Sequence, residues 1–289
     1  MQIVVENLTH IYNKGLAYET FAVSDVSFEI HEGEFVAIIG HTGSGKSTLI
    51  QHLNGLLKPT SGKVLIGNID ISVKGTTAID TRRKIGMVFQ YPEYQLFEET
   101  VYKDIAFGPK NLGLSDEEID VRVKEAMALV DVDYLEFAER IPFELSGGQK
   151  RKIAIAGVLA MRPEVLILDE PTAGLDPGAH ADVLSMIIDM HKKTKCTIIL
   201  VSHNMDDVAR LADRVFVMAK GKLVRNDSPK SVFAEEDFLK NIGLDIPQAR
   251  RFANALAKKG INLDADILET ESLINAIETY AKHEGRIND

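Results

Sequence analysis

Several short stretches of this 289-residue chain carry residue types at spacings that suit phosphate chemistry. Gly40-His41-Thr42-Gly43-Ser44-Gly45-Lys46-Ser47 fits the pattern G-x-x-x-x-G-K-[ST]. It lies between an aliphatic run, Phe35–Ile39, and a helical stretch over 48–56 that starts with Thr48. Glycines in such a loop let backbone N–H groups converge on phosphate oxygens, and the start of the helix adds partial positive charge. Lys46 is the residue type that reaches β- and γ-phosphates, and the Ser47 hydroxyl is a ligand type for Mg²⁺. A glycine-rich strand-to-helix turn is the plain structural alternative. The complete pattern in this setting favours nucleotide binding.

Val165–Asp169 followed by Glu170 reads as the second half of the same site. A buried strand that ends in a carboxylate offers Asp169 to Mg²⁺ through water, and the adjacent Glu170 is positioned to polarise an attacking water as general base. Taken alone, a strand with an acidic helix cap explains the pattern as well; its pairing with the glycine-rich loop favours chemistry. Ser146-x-x-Gln149, within Leu145-Ser146-Gly147-Gly148-Gln149, is a capping box for a helix over 150–159.

That pentapeptide, about 25 residues ahead of the acidic strand, resembles the signature of the ATP-binding-cassette (ABC) ATPases. The resemblance covers residues from about 3 to 233. It implies ATP and Mg²⁺ as cofactors, and a site completed only when two ATPase subunits close together. Ser146, Gly147, Gly148 and Gln149 would then face the nucleotide of the partner as a second anion-binding helix start. Gln90, at the end of a strand over 86–90, matches the glutamine that contacts Mg²⁺ and the attacking water. Ala173-Gly174-Leu175-Asp176 matches the loop that crosses the dimer interface, so Asp176 also serves the partner's nucleotide. His203, after a strand over 197–202, matches the γ-phosphate histidine. Tyr12 corresponds to the aromatic that stacks on adenine, with Tyr18 close by as the other choice.

Within that family, 91–97 (Tyr-Pro-Glu-Tyr-Gln-Leu-Phe) and the segment to Pro109 resemble energy-coupling-factor (ECF) transporter ATPases. So do Gly40-His41-Thr42, Ser202-His203-Asn204-Met205-Asp206 and the helical C-terminal extension. The resemblance implies a pair of ATPase subunits, a homodimer or a heterodimer, that drives a membrane scaffold subunit. The scaffold holds a small membrane protein that binds a vitamin, cobalt or nickel. Tyr94, Leu96 and Phe97 are expected to supply apolar contacts to a scaffold helix, with Glu93 available to a basic residue. Another ABC importer is the nearest alternative, and a nucleotide-gated ABC protein without transport a more distant one.

The elements that must position these residues are legible as β-rich sequence to about 71, then buried aliphatic strands separated by helices. Ser115 caps a helix whose apolar stripe is Ile119, Val123, Met127 and Val130. The expected fold is α/β: a P-loop NTPase with a RecA-like core, an antiparallel β subdomain, an α-helical subdomain at about 91–163 and a small C-terminal helical extension. The expected domains are an ATPase domain over 1–234 and a dimerisation extension over 235–289. Composition agrees with a globular chain: 45% of residues are hydrophobic and 26% charged, which argues against disorder. With 33 Lys and Arg against 43 Asp and Glu, the net charge of −10 is a poor match for nucleic acid. No apolar run reaches the roughly 20 residues of a membrane span, and the first ten residues show no secretory pattern. The single cysteine, Cys196, reads as a core hydrophobe in a reducing compartment. These features predict a soluble cytoplasmic protein, and the resemblance places it peripherally, on the cytoplasmic face of the cell membrane.

Overall fold

The computed structural model describes residues 1–264 and 266–283. The strands are β1 (Ile3–Tyr12), β2 (Thr20–Ile30), β3 (Phe35–Ile39), β4 (Ser61–Ile66), β5 (Ile69–Asp70), β6 (Ile85–Val88), β7 (Val165–Asp169), β8 (Thr197–Val201), β9 (Arg214–Ala219) and β10 (Lys222–Asp227). The first six helices are α1 (Lys46–Leu53), α2 (Thr76–Arg82), α3 (Val101–Asn111), α4 (Asp116–Leu129), α5 (Tyr134–Phe137) and α6 (Gly147–Leu159). They are followed by α7 (Pro177–Thr194), α8 (Met205–Leu211), α9 (Pro229–Ala234), α10 (Glu236–Asn241), α11 (Gln248–Ala257) and α12 (Thr270–His283). The chain divides into two compact units, residues 1–34 with 47–201, and residues 35–46 with 202–289.

The first unit contains an antiparallel sheet in the order β2-β1-β4-β5. Ile3, Val5 and Leu8 of β1 are buried, as are Val64 and Ile66 of β4 opposite. Within the β-rich sequence that runs to about 71, β4 and β5 form a hairpin that turns at Gly67, with φ +59°. In the same unit β7 pairs in parallel with β6 and with β8. Val165 to Leu168 and Thr197 to Val201 are buried throughout, so both faces of these strands are covered and their sequence is unbroken aliphatic. Strand β6 stops at Val88, and Gln90 lies two residues beyond it rather than in the strand.

Helices α3, α4 and α6 pack on one another in this unit, each begun by a side-chain cap. Thr100 accepts from Lys103 N, Ser115 from Glu118 N and Ser146 from Gln149 N. Each cap satisfies a backbone donor that the first helical turn leaves without a partner.

In the second unit β9 pairs in parallel with β3 and antiparallel with β10. A turn at Lys220-Gly221 closes the latter pair, both residues having positive φ. A core of Ala37, Ile39, Val215, Val217 and Phe233 also takes in Leu239, Ile246 and Leu268 from beyond residue 234. Ala249, Ala253, Ile267 and Leu273 form a separate small cluster.

Candidate nucleotide site

The glycine-rich loop leaves the end of β3 and runs into α1, as its sequence predicts. Two of its glycines are required by geometry. A Cβ on Gly40 would meet Ser44 Oγ at 2.4 Å and Met218 O at 2.5 Å, and Gly45 has φ +103°. The loop is tied by Ser44 N donating to His41 O at 3.1 Å, and Gly221 N donates to Ser44 O at 3.0 Å. Ser44 Oγ is buried without a hydrogen-bond partner, a polar group suited to a polar ligand. Lys46 Nζ donates to Gly40 O at 2.5 Å and His41 O at 3.2 Å, which turns the ammonium back across the loop. His41 Nδ1 lies 2.7 Å from Thr42 O. Thr48 in α1 is within 3.3 Å of the Tyr12 hydroxyl, and Tyr12 is partly exposed at the end of β1. Tyr18 is more exposed still, in the turn that follows.

Asp169 ends β7, as expected, and Glu170 follows it with φ +52°. A left-handed backbone at a residue other than glycine is costly and persists only where its surroundings hold it. Glu170 N donates to Val201 O at 2.9 Å, and Ala173 N donates back to Glu170 O at 3.1 Å, which closes a tight turn. Asp176 ends this segment as the cap of α7, its Oδ1 accepting from Gly178 N and Ala179 N.

The capping box is complete at the start of α6. Gln149 N donates to Ser146 Oγ at 3.3 Å, and Ser146 N donates to Gln149 Oε1 at 3.0 Å. Ser146 and Gly147 are exposed, and a Cβ on Gly147 would meet open space. In the second unit, His203 is exposed between buried Ser202 and Asn204, which caps α8. Asn204 N donates to Ser202 Oγ at 3.0 Å, fixing the turn that presents the imidazole.

A protein-family model described as ABC transporter matches residues 23–173. The chain is 58% identical over 271 residues to an energy-coupling factor transporter ATP-binding protein, EcfA2, of Clostridium tetani, covering 94% of each. It is 55% identical over 282 residues to the protein of that name in Caldanaerobacter subterraneus subsp. tengcongensis, covering 98% of each. Among solved structures, cbiO1 from Clostridium perfringens, part of the ABC transporter complex cbiONQ, superposes with a TM-score of 0.75 at 40% identity. That match covers 88% of this chain and 98% of cbiO1. The chain belongs to the ABC transporter ATPases, on their energy-coupling-factor branch. It has their P-loop NTPase fold, and it is an ATP-binding, ATP-hydrolysing subunit. A dimeric cassette, MJ0796, solved in a post-hydrolysis state with ADP and Pi, is similar with a TM-score of 0.68 at 30% identity, covering 78% of this chain and 98% of that one.

The ATPase has a second feature, in its first unit. A cavity of about 480 Å³ is lined by Leu96, Phe97, Phe107, Ile153, Val158 and Met161, with Asp104 among its polar residues. Phe97 and Phe107 meet edge to face at 4.9 Å between centroids. Asp104 accepts from Phe97 N and Glu98 N, and burial holds its carboxyl above the usual carboxylate range. Two expectations for 91–97 need correction. Leu96 is only 7% exposed and faces the interior, whereas Tyr94 is 84% and Phe97 57% exposed. Glu93 is not available to another protein, because its carboxylate is paired with Arg151.

Arg151 went unnoticed in the sequence because it sits in the basic run Lys150-Arg151-Lys152. Helical spacing does hold a signal. Stepping back by four from the buried Leu159 and Ile155 lands on Arg151, the one member of the run on that buried face. His52 was missed in the same way. It is buried in α1, with Nδ1 at 2.7 Å from Thr48 O and Nε2 at 3.1 Å from His10 Nδ1. Among the described residues, no three His, Cys, Asp or Glu side chains gather into a metal cluster.

Proposed function

We propose that this ATPase energises an ECF-type importer for a vitamin or a transition-metal ion. It would work at the cytoplasmic face of the cell membrane, with Mg²⁺ as its metal. The observation that carries this reading is near full-length similarity to ECF ATP-binding proteins, together with exposed Tyr94 and Phe97 in the segment after Gln90, Phe97 lining a cavity. No helix among the described residues is long and apolar enough to cross a membrane, so any work on a membrane must pass through a partner. A membrane scaffold subunit is that partner, and the substrate-binding membrane subunit is engaged only through it. The second ATPase subunit is a copy of this chain or a related one, and the segment over 235–289 serves their dimerisation.

In this reading the loop amides and Lys46 hold the β- and γ-phosphates of ATP, and Tyr12 stacks on adenine. Ser47, Gln90 and Asp169 offer hydroxyl, amide and carboxylate oxygens, the hard donors that Mg²⁺ selects. A Mg²⁺ ion held by these groups would supply positive charge against the phosphate oxygens. Glu170 takes a proton from the attacking water, and His203 contacts the γ-phosphate. The exposed start of α6, with Ser146 and Gly147 uncovered, and the exposed Asp176 serve the nucleotide of the partner subunit. ATP closes the pair, and hydrolysis reopens it.

The test is to isolate the tagged chain from its native membranes with mild detergent and identify what accompanies it. A polytopic scaffold, a small substrate-binding membrane protein and ATPase activity in the assembly support the reading. Recovery with other importer subunits, or with no membrane protein at all, rejects the ECF assignment.

A further inference from the structure

Arg151 is fully buried, and its guanidinium donates in five hydrogen-bond contacts, from all three of its nitrogens. Nε donates to Glu93 Oε2 at 3.1 Å, and Nη2 donates to Glu93 Oε1 at 2.7 Å and Oε2 at 2.9 Å. Nη1 donates to Pro171 O at 2.9 Å and Ala173 O at 2.8 Å. One guanidinium on α6 therefore holds two separate turns. The first follows Gln90 and opens with Tyr91, at φ +56°; the second opens with Glu170, at φ +52°. The two turns also touch, since a Cβ on Gly174 would meet the Tyr91 ring at 3.2 Å. Each turn thus begins with a residue in the left-handed region, a backbone state that needs outside restraint.

We propose that Arg151 is a positioning residue for ATP hydrolysis: it locks the Glu170 turn and the turn after Gln90 to the signature helix. The inference rests on the reading of Glu170 as general base. Three segments that answer to the nucleotide then move as one body, and the carboxylate of Glu170 is aimed by the carbonyls of Pro171 and Ala173, one and three residues further along the chain. The fork geometry is essential. An ammonium has at most three donors radiating from one point and cannot span a carboxylate and two carbonyls in this arrangement.

The experiment compares R151M, R151K and E93Q with E170Q in the assembled transporter, reading kcat, KM for ATP, ATP dissociation constant and thermal midpoint. Misplacement of a catalytic group by an ångström can cost about a hundredfold in rate, so R151M should lower kcat by about ten- to a hundredfold. KM and ATP affinity should stay within about threefold, because Arg151 touches no nucleotide-binding group. R151K should fail to restore the rate. E93Q keeps the two carbonyl bonds, so it should show a smaller fall in kcat while remaining folded. Wild-type kcat in folded R151M and E93Q, with E170Q inactive, overturns the role of Arg151 alone. A near wild-type rate in E170Q instead removes the base on which the inference rests. A fall in thermal midpoint with kcat unchanged also overturns the proposal, leaving Arg151 a purely structural residue.

Discussion

Lys46 Nζ donates to Gly40 O at 2.5 Å, joining the first residue of α1 to the first residue of the glycine-rich loop. The same ammonium that closes the loop is the group proposed to meet the β- and γ-phosphates. Lys46→Ala removes that charge and the loop contacts together. A hydrogen bond to a charged group contributes about 1.5–3 kcal/mol, so ATP affinity should fall by roughly ten- to a hundredfold. Calorimetric titration of the wild type and variant checks this, and equal affinities reject the phosphate role of the loop.

Glu170→Gln keeps the size of the side chain and a hydrogen-bonding end, but removes the base. Its backbone turn, tied through Val201 O and Ala173 N, does not depend on the carboxylate. ATP should therefore bind as in the wild type while turnover falls roughly 10²–10⁴-fold. Single-turnover hydrolysis in the assembled complex is the measurement. A rate near that of the wild type would mean that another group accepts the proton.

The fold and most of the candidate site were legible because their signals are local. A strand, a glycine-rich turn and a helix start are adjacent in sequence, and so are an aliphatic strand and the two carboxylates that end it. What could not be read depends on which face a residue takes inside a loop or a run. Leu96 and Phe97 are neighbours of similar character, yet one points inward and the other outward, because the backbone turns extended at Leu96 after the 3₁₀ turn Pro92–Gln95, and successive side chains of extended chain point to opposite sides. Glu93 reads from sequence as available to a basic residue of another subunit, but its partner is Arg151 of the same chain, 58 residues later. Gln90 was expected at a strand end, but Tyr91 adopts a left-handed backbone that no residue type there announces.

The exposed aromatic pair of this segment, Tyr94 and Phe97, is the proper place to test coupling. Burying each side chain against a scaffold helix is worth roughly 1.5–3 kcal/mol. A Tyr94→Asp/Phe97→Asp double change should release the scaffold, since it also places two charges in an apolar contact. Neither side chain is part of the proposed phosphate machinery, so the soluble variant should titrate with ATP as the wild type does. Recovery of the scaffold by the variant in a pull-down would exclude this pair as the contact. Changing Leu96 would not discriminate, because an acid there is buried in the subunit's own interior.

The last prediction concerns His52 and acid. Its ring is buried in α1, where Nδ1 donates to Thr48 O and Nε2 meets His10 Nδ1 at 3.1 Å. His10 also faces Lys58 O and the Tyr12 ring, so these neighbours provide no acid to stabilise an imidazolium. Burial pushes the His52 pKa down, and the neighbouring His10 pushes the same way, against the opposing pull of the Thr48 hydrogen bond. The folded state therefore binds fewer protons than the unfolded chain, whose histidine titrates near 6.5. Stability from this site is fully present above the unfolded value, and is lost as pH falls through it toward the lowered folded one. The thermal midpoint of the wild type should drop on going from about pH 7.5 to about pH 5 by more than carboxylate titration alone accounts for. His52→Asn should start lower, having lost a packed ring, but show a shallower decline over the same range. Carboxylates contribute equally to both proteins, so the difference in slope isolates the histidine. Parallel declines would show that His52 is protonated in the folded state as readily as in the unfolded one.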